Sequence, residues 1–538
     1  MKSFLLYLRT IRYLKFSQIF FRVKRQLITS HLSKRPYSKL IERPKYWVRN
    51  FPYSQKIFSN GKFRFLNQEK IFKKRVGWNE KNFSKLWNYN LHYFDDLVAE
   101  NSHKRTNIHL ELILDWISNN NNYKGEGWDP YPVSLRIVNI IKYWLNGNSL
   151  PTKVQKSIFT QTCYLEKNLE KHILGNHYFA NLKAIFFSGI VFNEYDWIKF
   201  SEKEIIQQIH EQVLEDGSHF ELSPMYHNII LYDLIDLYNL VQSTNLKNHI
   251  NFKKILAEAI VKMVNFMNGV SHPDGKPSFF NDSTFDIAPS NSFIKEYLKK
   301  LNFHKEVLDI SKIDYPSSGF YCSIIDNSKL IFSASEIKAD YIPGHSHAGL
   351  QSFELSLNLQ RFIVNSGINT YDISNDRLKQ RSTLSYSTVQ VDKKNSNEVW
   401  KSFRVGNRAR VKNRYMTLLP KKNIFQSEHN GFSYFFNEII HRRKIIHSKN
   451  SLEINDVLAG KFTNAVSRLF FHPKVTLKTK KDILIISDGI VKLRIFLKGL
   501  DYKIEDAYWY DGFNSHEKNK VLIINFMDKE ISLKMSWS

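Results

Sequence analysis

Two histidines near the middle of the chain could transfer protons or bind a metal ion. His345 and His347 are separated by one residue and directly precede a segment of alternating apolar residues. In an extended chain their rings point the same way, because side chains two residues apart lie on one face. Such a pair is typical either of half a metal site or of a catalytic base beside a ligand. A metal site would need a further ligand from another part of the chain.

A tyrosine stands at the predicted start of a helix. Ser223 and Pro224 form a typical helix N-terminus, which places Tyr226 and His227 in the first turn. The positive end of the helix dipole favours an anion there, including a phenolate. Because free tyrosine titrates near pH ~10, a lowered pKa would let Tyr226 act as a base near neutral pH. The alternative is a tyrosine that packs on its ring and has no chemical role.

Two amides and a histidine interrupt an apolar helical stretch. Asn176, His177 and Asn181 stand close together in the segment LGNHYFANLKAIFFSG. Buried polar side chains need hydrogen-bond partners or a cleft to face. A single buried asparagine is usually satisfied by the backbone, whereas three polar residues together favour a cleft.

An aromatic and basic segment lies further upstream. Trp128, Tyr131 and Arg136 follow a glycine-containing turn in the segment GWDPYPVSLRIVN. An aromatic plane beside a guanidinium suits a sugar that carries a carboxylate or sulfate, because arginine binds such anions through a planar fork. The alternative is a helix start with an ordinary surface arginine.

The two halves of the chain differ in their hydrophobic period. From about residue 87 to residue 300, apolar residues recur at helical spacing, as in Ile205, Ile209 and Val213. From about residue 315 they alternate with polar residues, as in the segment 353–359. The pattern predicts many antiparallel helices followed by an antiparallel β-sandwich, with a cleft between the two parts.

The charge balance is strongly basic. The 538-residue chain has 78 Lys and Arg against 51 Asp and Glu, which gives a net charge of +27. A field of this sign attracts polyanions, which include nucleic acid, acidic polysaccharide and anionic lipid. The basic residues form no recognisable nucleic-acid motif, so we expect no nucleic-acid partner. The chain also lacks the motifs of P-loop, dinucleotide-binding, HExxH and nucleophile-elbow enzymes.

Cysteine usage and hydropathy exclude further classes. Cys163 and Cys322 are too few and too far apart for a disulfide framework or a cysteine-ligated zinc finger, and we expect two buried thiols. No run of about 20 uncharged apolar residues predicts a membrane-spanning helix. The first 27 residues show no typical signal peptide. This basic segment is either an amphipathic helix on an anionic membrane surface or a helix packed on the protein.

Seven segments, taken in order, resemble the heparinase II/III family of polysaccharide lyases. They cover most of the chain and are WNYNLHYFDDL (87–97), GWDPYPVSLRIVN (127–139), GNHYFANLKAIFFSGIVF (175–192), DGSHFELSPMYH (216–227), HPDGKPSFFND (272–282), GHSHAGLQSFELSLNLQRFIVNSG (344–367) and EVWKSFRVGNRA (398–409). The resemblance implies an incomplete (α/α) toroid followed by an antiparallel β-sandwich. It also implies β-elimination at 4-linked uronic acid residues of an acidic polysaccharide, without a cofactor.

The resemblance assigns roles to three catalytic residues. Asn176 corresponds to the group that hydrogen-bonds the uronate carboxylate. Tyr226 corresponds to the acid, with a second role as base left open, and His345 corresponds to the second proton-transfer residue. The base depends on whether the C5 hydrogen lies syn or anti to the leaving oxygen. The residues that we expect to bind substrate are Trp128, Arg136, His177 and His227.

The chain departs from the metal-binding pattern of the family. Some members hold a structural metal with the second histidine of the HxH pair, an aspartate and a further histidine. Here His347 matches the first ligand, but Asn365 and Tyr386 stand at the other two positions. A neutral amide and a phenol are poor zinc ligands. We therefore expect no metal there, with Asn365 and Tyr386 hydrogen-bonded to His347 instead.

These features predict three regions and a setting for the protein. We expect a basic N-terminal helical arm at 1–75, the toroid at 76–305 and the β-sandwich at 315–538. The basic first segment predicts a cytoplasmic or inner-membrane-associated protein in capsule or O-antigen metabolism, with a periplasmic location as the alternative. The sequence makes no prediction of the oligomeric state.

Two other functions are consistent with the sequence. A glycoside hydrolase on the same scaffold would use Asp216 and Glu221, because hydrolysis needs paired carboxylates that flank the bond. A catalytically inactive glycan-binding or assembly protein would hold the polymer in a cationic cleft. Its binding would be sensitive to salt and would occur without turnover.

Overall fold

A helical half of the chain is followed by a half built from antiparallel strands, as the change of hydrophobic period predicts. The computed structural model describes residues 2–27, 32, 35–73, 76–244, 249–309, 313–433 and 438–538. Both end residues of the predicted 1–75 arm lie outside these ranges.

The described part of the N-terminal arm contains two helices and a hairpin. Their bounds are α1 (Lys2–Ile11), α2 (Phe16–Leu27), β1 (Lys62–Phe65) and β2 (Gln68–Ile71). Among the described residues, the predicted helical arm is therefore helical only as far as Leu27. The later part of the arm packs on the helical half, where the Trp47 indole donates to Asn146 Oδ1 at 2.9 Å.

The helical half is a set of antiparallel helices around one apolar core. The helices are α3 (Lys85–Tyr93), α4 (Thr106–Asn119), α5 (Pro130–Leu145), α6 (Thr152–Lys167), α7 (Gly175–Phe192), α8 (Tyr195–Gln212), α9 (Pro224–Thr244), α10 (Ile250–Val270), α11 (Asn291–Lys300) and α12 (Lys305–Leu308). Their apolar faces meet in a core that includes Ile137, Phe186 and Leu234. Helix α7 is buried along almost its whole length because α5, α6, α8 and α9 pack around it.

The connection between α8 and α9 contains a tight turn that sets the start of α9. Gly217 has a φ of +87°, and a Cβ at this position would lie 2.1 Å from the carbonyl oxygen of Lys262. Only glycine tolerates both the left-handed backbone and this close approach. The chain then enters α9 at Pro224, the position predicted from the sequence.

The described residues of the second half form strands β3 to β21 and a further α-helix. The elements are β3 (Asp314–Tyr315), β4 (Phe320–Ile325), β5 (Ser328–Ser333), β6 (Phe353–Leu357), β7 (Gln360–Val364), α13 (Asn375–Arg381), β8 (Val389–Val391), β9 (Val399–Trp400), β10 (Arg404–Val405), β11 (Val411–Leu419), β12 (Lys422–His429), β13 (Ile440–Ser448), β14 (Ser451–Ala459), β15 (Ala465–Phe471), β16 (Thr476–Lys480), β17 (Ile483–Ser487), β18 (Lys492–Phe496), β19 (Asp501–Gly512), β20 (Ser515–Asn525) and β21 (Glu530–Trp537).

Two antiparallel sheets form the predicted sandwich. One has the strand order β19-β20-β15-β7-β6-β5-β4-β3, with β8 also paired to β15, and the other has the order β11-β12-β13-β14-β21-β18-β17-β16. Their facing side chains form a shared core that includes Phe332, Leu355, Leu484 and Met535. Strand β21 alternates buried and exposed residues, as its sequence predicts.

Strand β6 is buried on both faces, although its sequence alternates. Its polar residues pack against the helical half, where His272 hydrogen-bonds Glu354 Oε2 and Ser356 Oγ, each at 2.6 Å. The polar face that the pattern predicts as solvent-exposed is thus covered by another part of the chain. This contact holds the segment after α10 against the sheet, beside the turn that carries His345 and His347.

The cysteines agree with the expectation drawn from composition. Cys163 and Cys322 are buried and unpaired, and burial raises the pKa of each thiol to about 12. Thiols of this kind are poor nucleophiles because little thiolate forms at neutral pH.

No helix within the described ranges is both long and apolar enough to cross a bilayer.

Candidate active site

A cavity of about 1160 Å³ lies between the helical half and the sheet half. The N-terminal arm forms part of its wall, so three regions of the chain contribute to one space. Representative lining residues are Asn176 and Tyr226 from the helical half, His345 and Tyr371 from the sheet half, and Ile11 and Ile19 from the arm.

Tyr226 and His345 form a stacked pair on the cavity wall. Tyr226 lies in the first turn of α9, where its backbone N–H donates to the Ser223 hydroxyl at 3.2 Å. Its ring stacks on the imidazole of His345 with a centroid separation of 3.8 Å and an interplanar angle of 26°. Its hydroxyl lies 3.1 Å from the hydroxyl of Tyr371. A phenol and an imidazole therefore meet although they are far apart in the chain.

His345 is held through one ring nitrogen. Its Nδ1 lies 2.8 Å from Asp282 Oδ2, and a carboxylate can only accept, so Nδ1–H donates. Its Nε2 makes no hydrogen bond within the described ranges and lies 3.7 Å from Glu221 Oε2. In the neutral ring this tautomer leaves the Nε2 lone pair available as a base.

Asp282 is the centre of a buried charge network. Arg377 donates to Asp282 with two guanidinium nitrogens, of which Nη2 lies 2.7 Å from Oδ2. Burial opposes the charge of Asp282, but Arg377 and His347 hold the pKa of this carboxyl well below its usual range. The carboxylate is therefore ionised at neutral pH and can orient the imidazole of His345.

His347 also contacts Asp282 but, unlike His345, is buried. Its Nε2 lies 2.6 Å from Asp282 Oδ1, and its Nδ1 lies 2.6 Å from the hydroxyl of Tyr386. Burial lowers the pKa of His347 to about 4. A neutral His347 donates through Nε2 and accepts from Tyr386 through Nδ1, so both nitrogens are occupied.

Tyr226 does not have the lowered pKa that a role as base near neutral pH would need. Burial, with Tyr371 and Asp282 as further causes, raises the pKa of Tyr226 well above its usual value of 10. The cost of removing a phenolate from water exceeds the stabilisation that a helix N-terminus supplies. Tyr226 is therefore a neutral phenol at physiological pH, which suits a proton donor rather than a base.

Asn176 presents an amide to the same cavity. It lies in the first turn of α7, and its buried Oδ1 has no hydrogen-bond partner in the part of the chain that the structure describes. The neighbouring Gly175 lies against Glu221, whose Oε1 would be 3.2 Å from a Cβ at that position. Burial raises the pKa of Glu221. The orphan Oδ1 can only accept, so a hydrogen bond from this side chain to an anionic ligand would come from its Nδ2–H.

His177 also lines the cavity and carries a fixed partner. Its Nδ1 donates to Glu170 Oε1 at 3.0 Å, and its ring lies 4.5 Å from the ring of Tyr131. Burial opposes the charge of His177, but the Glu170 carboxylate raises its pKa. Asn181, the third polar residue of this segment, is satisfied behind the cavity by Glu170 and by the Ser134 hydroxyl.

Trp128 and Arg136, predicted to bind substrate, support the fold instead. The buried guanidinium of Arg136 donates to Gln161 Oε1 at 2.8 Å and lies 3.8 Å from the ring centroid of Trp116. The Trp128 indole donates to the carbonyl oxygen of Asn120 at 2.8 Å. Neither side chain lines the cavity, because the helical packing turns both into the core.

Two further predicted residues also lie away from the cavity. His227 is buried, donates through Nε2 to the carbonyl oxygen of Met263 at 2.8 Å, and accepts from the backbone N–H of His219. Asp216, one of the two carboxylates of the alternative hydrolase, accepts from the backbone N–H of Ser318 at 2.7 Å. The predicted substrate contact of His227 and the predicted carboxylate pair are thus not present on this cavity.

Sequence reasoning missed Asp282, Tyr371 and Arg377. Asp282 lies within a segment that matches the family, but nothing local distinguishes it from an ordinary turn aspartate. Tyr371 and Arg377 lie outside the matching segments. The histidine pair was the available signal, because a paired imidazole usually needs an acidic partner to orient it.

Hydrogen bonds occupy the position of the metal that some family members hold. Both nitrogens of His347 are used, and Asn365 Oδ1 accepts from the backbone N–H of Ser387 at 3.0 Å. The expected bond from Tyr386 to His347 is present, whereas the one expected from Asn365 is replaced by Ser387. The described residues contain no group of three His, Cys, Asp or Glu suited to a metal. These side chains do not fit a zinc ion.

The floor of the cavity carries a second buried charge cluster. Lys183 Nζ donates to Asp233 Oδ1 at 2.7 Å and to Asp236 Oδ2 at 2.8 Å. Lys142 donates to the same Asp236 Oδ2 at 2.9 Å. Two lysines and two aspartates therefore balance each other beneath the residues of the wall.

Two sequence families match the chain, one in each half. Heparinase II/III N-terminus matches residues 75–309, and Heparinase II/III-like, C-terminal, matches residues 311–538. A heparin-sulfate lyase of Bacteroides stercoris is 24% identical over 247 residues, which are 41% of this chain and 36% of the relative. A heparin-sulfate lyase of Pedobacter heparinus is 25% identical over 269 residues, which are 45% of this chain and 38% of the relative. The alignments thus span little more than a third of these relatives.

Solved structures share the fold over nearly the whole chain. Heparinase III has a TM-score of 0.68 at 15% identity, covering 97% of this chain and 89% of its own. A heparan sulfate lyase mutant from Pedobacter heparinus has a TM-score of 0.60 at 17% identity, covering 88% and 81%. The helical toroid and β-sandwich predicted from the sequence are confirmed. Because the two sequence families together cover both halves, the chain belongs to the heparinase II/III-like family.

Proposed function

We propose that the protein is a polysaccharide lyase that cleaves a uronate-containing acidic polysaccharide by β-elimination. The observation that carries this proposal is the meeting of an amide, a phenol and an oriented imidazole on one cavity wall. The lyase names of the curated relatives support the same reaction class.

The first step is removal of the C5 proton of the uronate. His345 takes it at Nε2, because Nδ1–H is committed to the ionised Asp282. Asp282 then stabilises the imidazolium that forms. The electrons of the C5–H bond move toward the sugar carboxylate, and Asn176 donates a hydrogen bond to that developing charge.

The second step is departure of the 4-linked oxygen. The C4–O4 bond breaks, a double bond forms between C4 and C5, and the neutral Tyr226 gives its proton to O4. The Tyr371 hydroxyl, 3.1 Å away, stabilises the resulting phenolate until a proton returns from solvent. The proton taken by His345 also returns to solvent. No water enters the sugar, so the product carries an unsaturated uronate.

An acidic substrate suits the charges around the cavity. Arg22 of the arm and Arg404 of β10 line it, and neither pairs with a carboxylate within the described ranges. Several aspartates also line the cavity, but those of the floor are neutralised by Lys142 and Lys183. Recognition of an anionic sugar is therefore expected at the mouth rather than on the floor.

The proposed setting is the production of an acidic capsule or O-antigen polysaccharide, in the cytoplasm or at the inner membrane. The basic, amphipathic helices α1 and α2 support a location beside an anionic surface. Cell fractionation tests this setting. Recovery of the mature protein from the periplasm, with its N-terminus trimmed, would contradict it.

Product analysis tests the reaction class directly. The protein is incubated with a panel of uronate polymers, and ultraviolet absorbance records the new conjugated double bond. Mass spectrometry is the second measurement, because an elimination product is lighter by one water than the hydrolytic product. Saturated products would establish hydrolysis instead. Salt-sensitive binding without any product across the panel would favour the inactive glycan-binding protein.

A further inference from the structure

The second helix of the arm, α2, exposes apolar residues and buries a polar one, which is the reverse of an ordinary surface helix. Phe16 and Leu27 are 82% and 78% exposed, and Phe20 is exposed beside them. The polar Gln18 is buried instead and donates to the carbonyl oxygens of Ile173 at 3.1 Å and Tyr341 at 3.3 Å. A surface helix normally buries its apolar stripe and exposes its polar face. Helix α2 attaches to the protein through its polar side.

Helix α1 has the same inverted arrangement. Phe4 and Leu8 are exposed, whereas Arg9 forms an ion pair with Glu398 in which Nε lies 2.8 Å from Oε2. The Thr10 hydroxyl accepts from the indole of Trp400 at 3.0 Å. These polar contacts, with the Tyr7 ring packed edge-on against Trp400 at 4.9 Å, anchor α1 on the sheet half. Gln18 anchors α2 beside the helical half.

The exposed apolar residues form a surface stripe, which repeats at helical spacing on both helices. The members of this surface stripe are Phe4, Tyr7, Leu8 and Ile11 on α1, and Phe16, Ile19, Phe20, Val23 and Leu27 on α2. The segment 2–27 also carries seven basic residues and no acidic one. An apolar stripe flanked by positive charge alone matches the chemistry of an anionic lipid surface.

We propose that the surface stripe docks the protein on an anionic phospholipid bilayer, with α1 and α2 lying in the plane of the interface. Tyr7, Ile11, Ile19 and Val23 also line the cavity, so the stripe continues into the cavity mouth. Docking places that mouth at the lipid surface, where a membrane-held glycan would reach it. This last consequence rests on the proposed lyase function, whereas the docking itself does not.

Vesicle flotation of the full chain tests the docking. We expect co-flotation with vesicles that contain phosphatidylcholine and about one third phosphatidylglycerol, and at least tenfold weaker binding, on the order expected for charge attraction, to pure phosphatidylcholine. Raising salt from ~0.1 M to ~0.5 M weakens the binding, because the screening length shortens. Failure to float with the anionic vesicles would overturn the proposal.

A matched pair of variants assigns the effect to the surface stripe. The triple variant Phe16→Ser, Phe20→Ser and Leu27→Ser is expected to bind anionic vesicles at least about tenfold more weakly. The control triple variant, with the same number of serines at exposed apolar positions of the sheet half, keeps parental binding. Its substitutions are Leu359→Ser, Ile490→Ser and Met527→Ser. Equal vesicle binding by both triple variants would overturn the proposal.

Light scattering and turnover separate the other outcomes. A parental dimer that dissociates in the stripe variant would assign the surface to a second copy of the chain and overturn membrane docking. Turnover of a soluble glycan is measured alongside, and the stripe variant is expected to retain it because none of its three residues lines the cavity. If the parental protein shows no lyase activity, the proposed function is rejected, and the flotation result still stands.

Discussion

The wall and the floor of the cavity both contain buried polar groups, but only those of the floor have a full set of partners. On the floor, Lys183 and its aspartates neutralise each other at 2.7 to 2.8 Å. On the wall, the Asn176 amide oxygen has no partner within the described ranges, and His345 uses only Nδ1. Complete networks hold a fold together, whereas spare hydrogen-bonding capacity facing a cavity is available to a ligand. This difference separates residues expected to act from residues expected to support.

The same contrast exists between two residues of one motif. His345 and His347 both contact Asp282, but Tyr386 covers the remaining nitrogen of His347. His347 is buried, whereas His345 is partly exposed on the cavity. Identical side chains two residues apart therefore take different roles. Tertiary packing gives both ring nitrogens of His347 a partner, whereas Nε2 of His345 has none within the described ranges.

The largest expected effect is on turnover when the wall is changed. Tyr226→Phe and His345→Ala are each expected to lower kcat by about 10²- to 10⁴-fold, the range for loss of a general acid or base. The measurement is the rate of ultraviolet absorbance increase on a cleaved polymer. Tyr508→Phe, at an exposed tyrosine outside the cavity, serves as the control and should keep full activity. Full activity in both wall variants would remove the distinction between wall and floor.

The next largest effect is on stability when the floor is changed. Lys183→Met leaves Asp233 and Asp236 with an uncompensated buried charge, so the free energy of unfolding should fall by about 3–5 kcal/mol. Urea denaturation measures this change. Lys254→Met removes an exposed lysine 4.0 Å from Glu258 and should cost less than about 0.5 kcal/mol. Equal stability of the two variants would show that the floor does not support the fold.

Asp282→Asn tests the role of the carboxylate that contacts both His345 and His347. The amide removes the negative charge that orients His345 and stabilises its protonated form, so kcat should fall by about 10²-fold. KM should stay near the parental value, because Asp282 does not line the cavity, whereas a general loss of structure would change KM as well. Asp506→Asn, at an exposed aspartate, is the control. A change in KM as large as the fall in kcat would limit Asp282 to a structural role.

The smallest expected effect concerns Asp95, another carboxyl on the cavity lining. Burial raises the pKa of Asp95 to about 6. The folded state therefore holds this proton more tightly than the unfolded chain, where an aspartate titrates near ~3.9. The contribution of Asp95 to stability consequently falls as pH rises from about 4 to 6, and the cost above this window is on the order of 2–3 kcal/mol.

Asp95→Asn should remove this pH-dependent cost. Its amide oxygen can still accept the bond that Asn139 donates at 2.9 Å. The variant should therefore exceed the parental protein in free energy of unfolding at pH 7 and approach it near pH 4. Urea denaturation at the two pH values measures the difference. A variant less stable than the parent at pH 7 would contradict the burial argument.

Most of the architecture follows from local patterns. The helical spacing before residue 300 and the alternation in β21 show which face of each element is buried. Both patterns can be recognised from residues that are close together in the chain. The start of α9 at Pro224 follows from local helix capping in the same way. Strand β6 departs from its pattern because its polar face meets His272 from another part of the chain.

The sequence by itself determined the order of helices and strands, the positive charge, and the presence of an amide, a phenol and an imidazole in matching segments. Tertiary structure decided which of these groups act together. Arg136 and His227 turn inward, whereas Asp282 reaches His345 across 63 positions of the chain. The physical reason is that periodicity depends on nearest neighbours along the chain. The partners and solvation of a polar side chain depend instead on residues that only folding brings into contact.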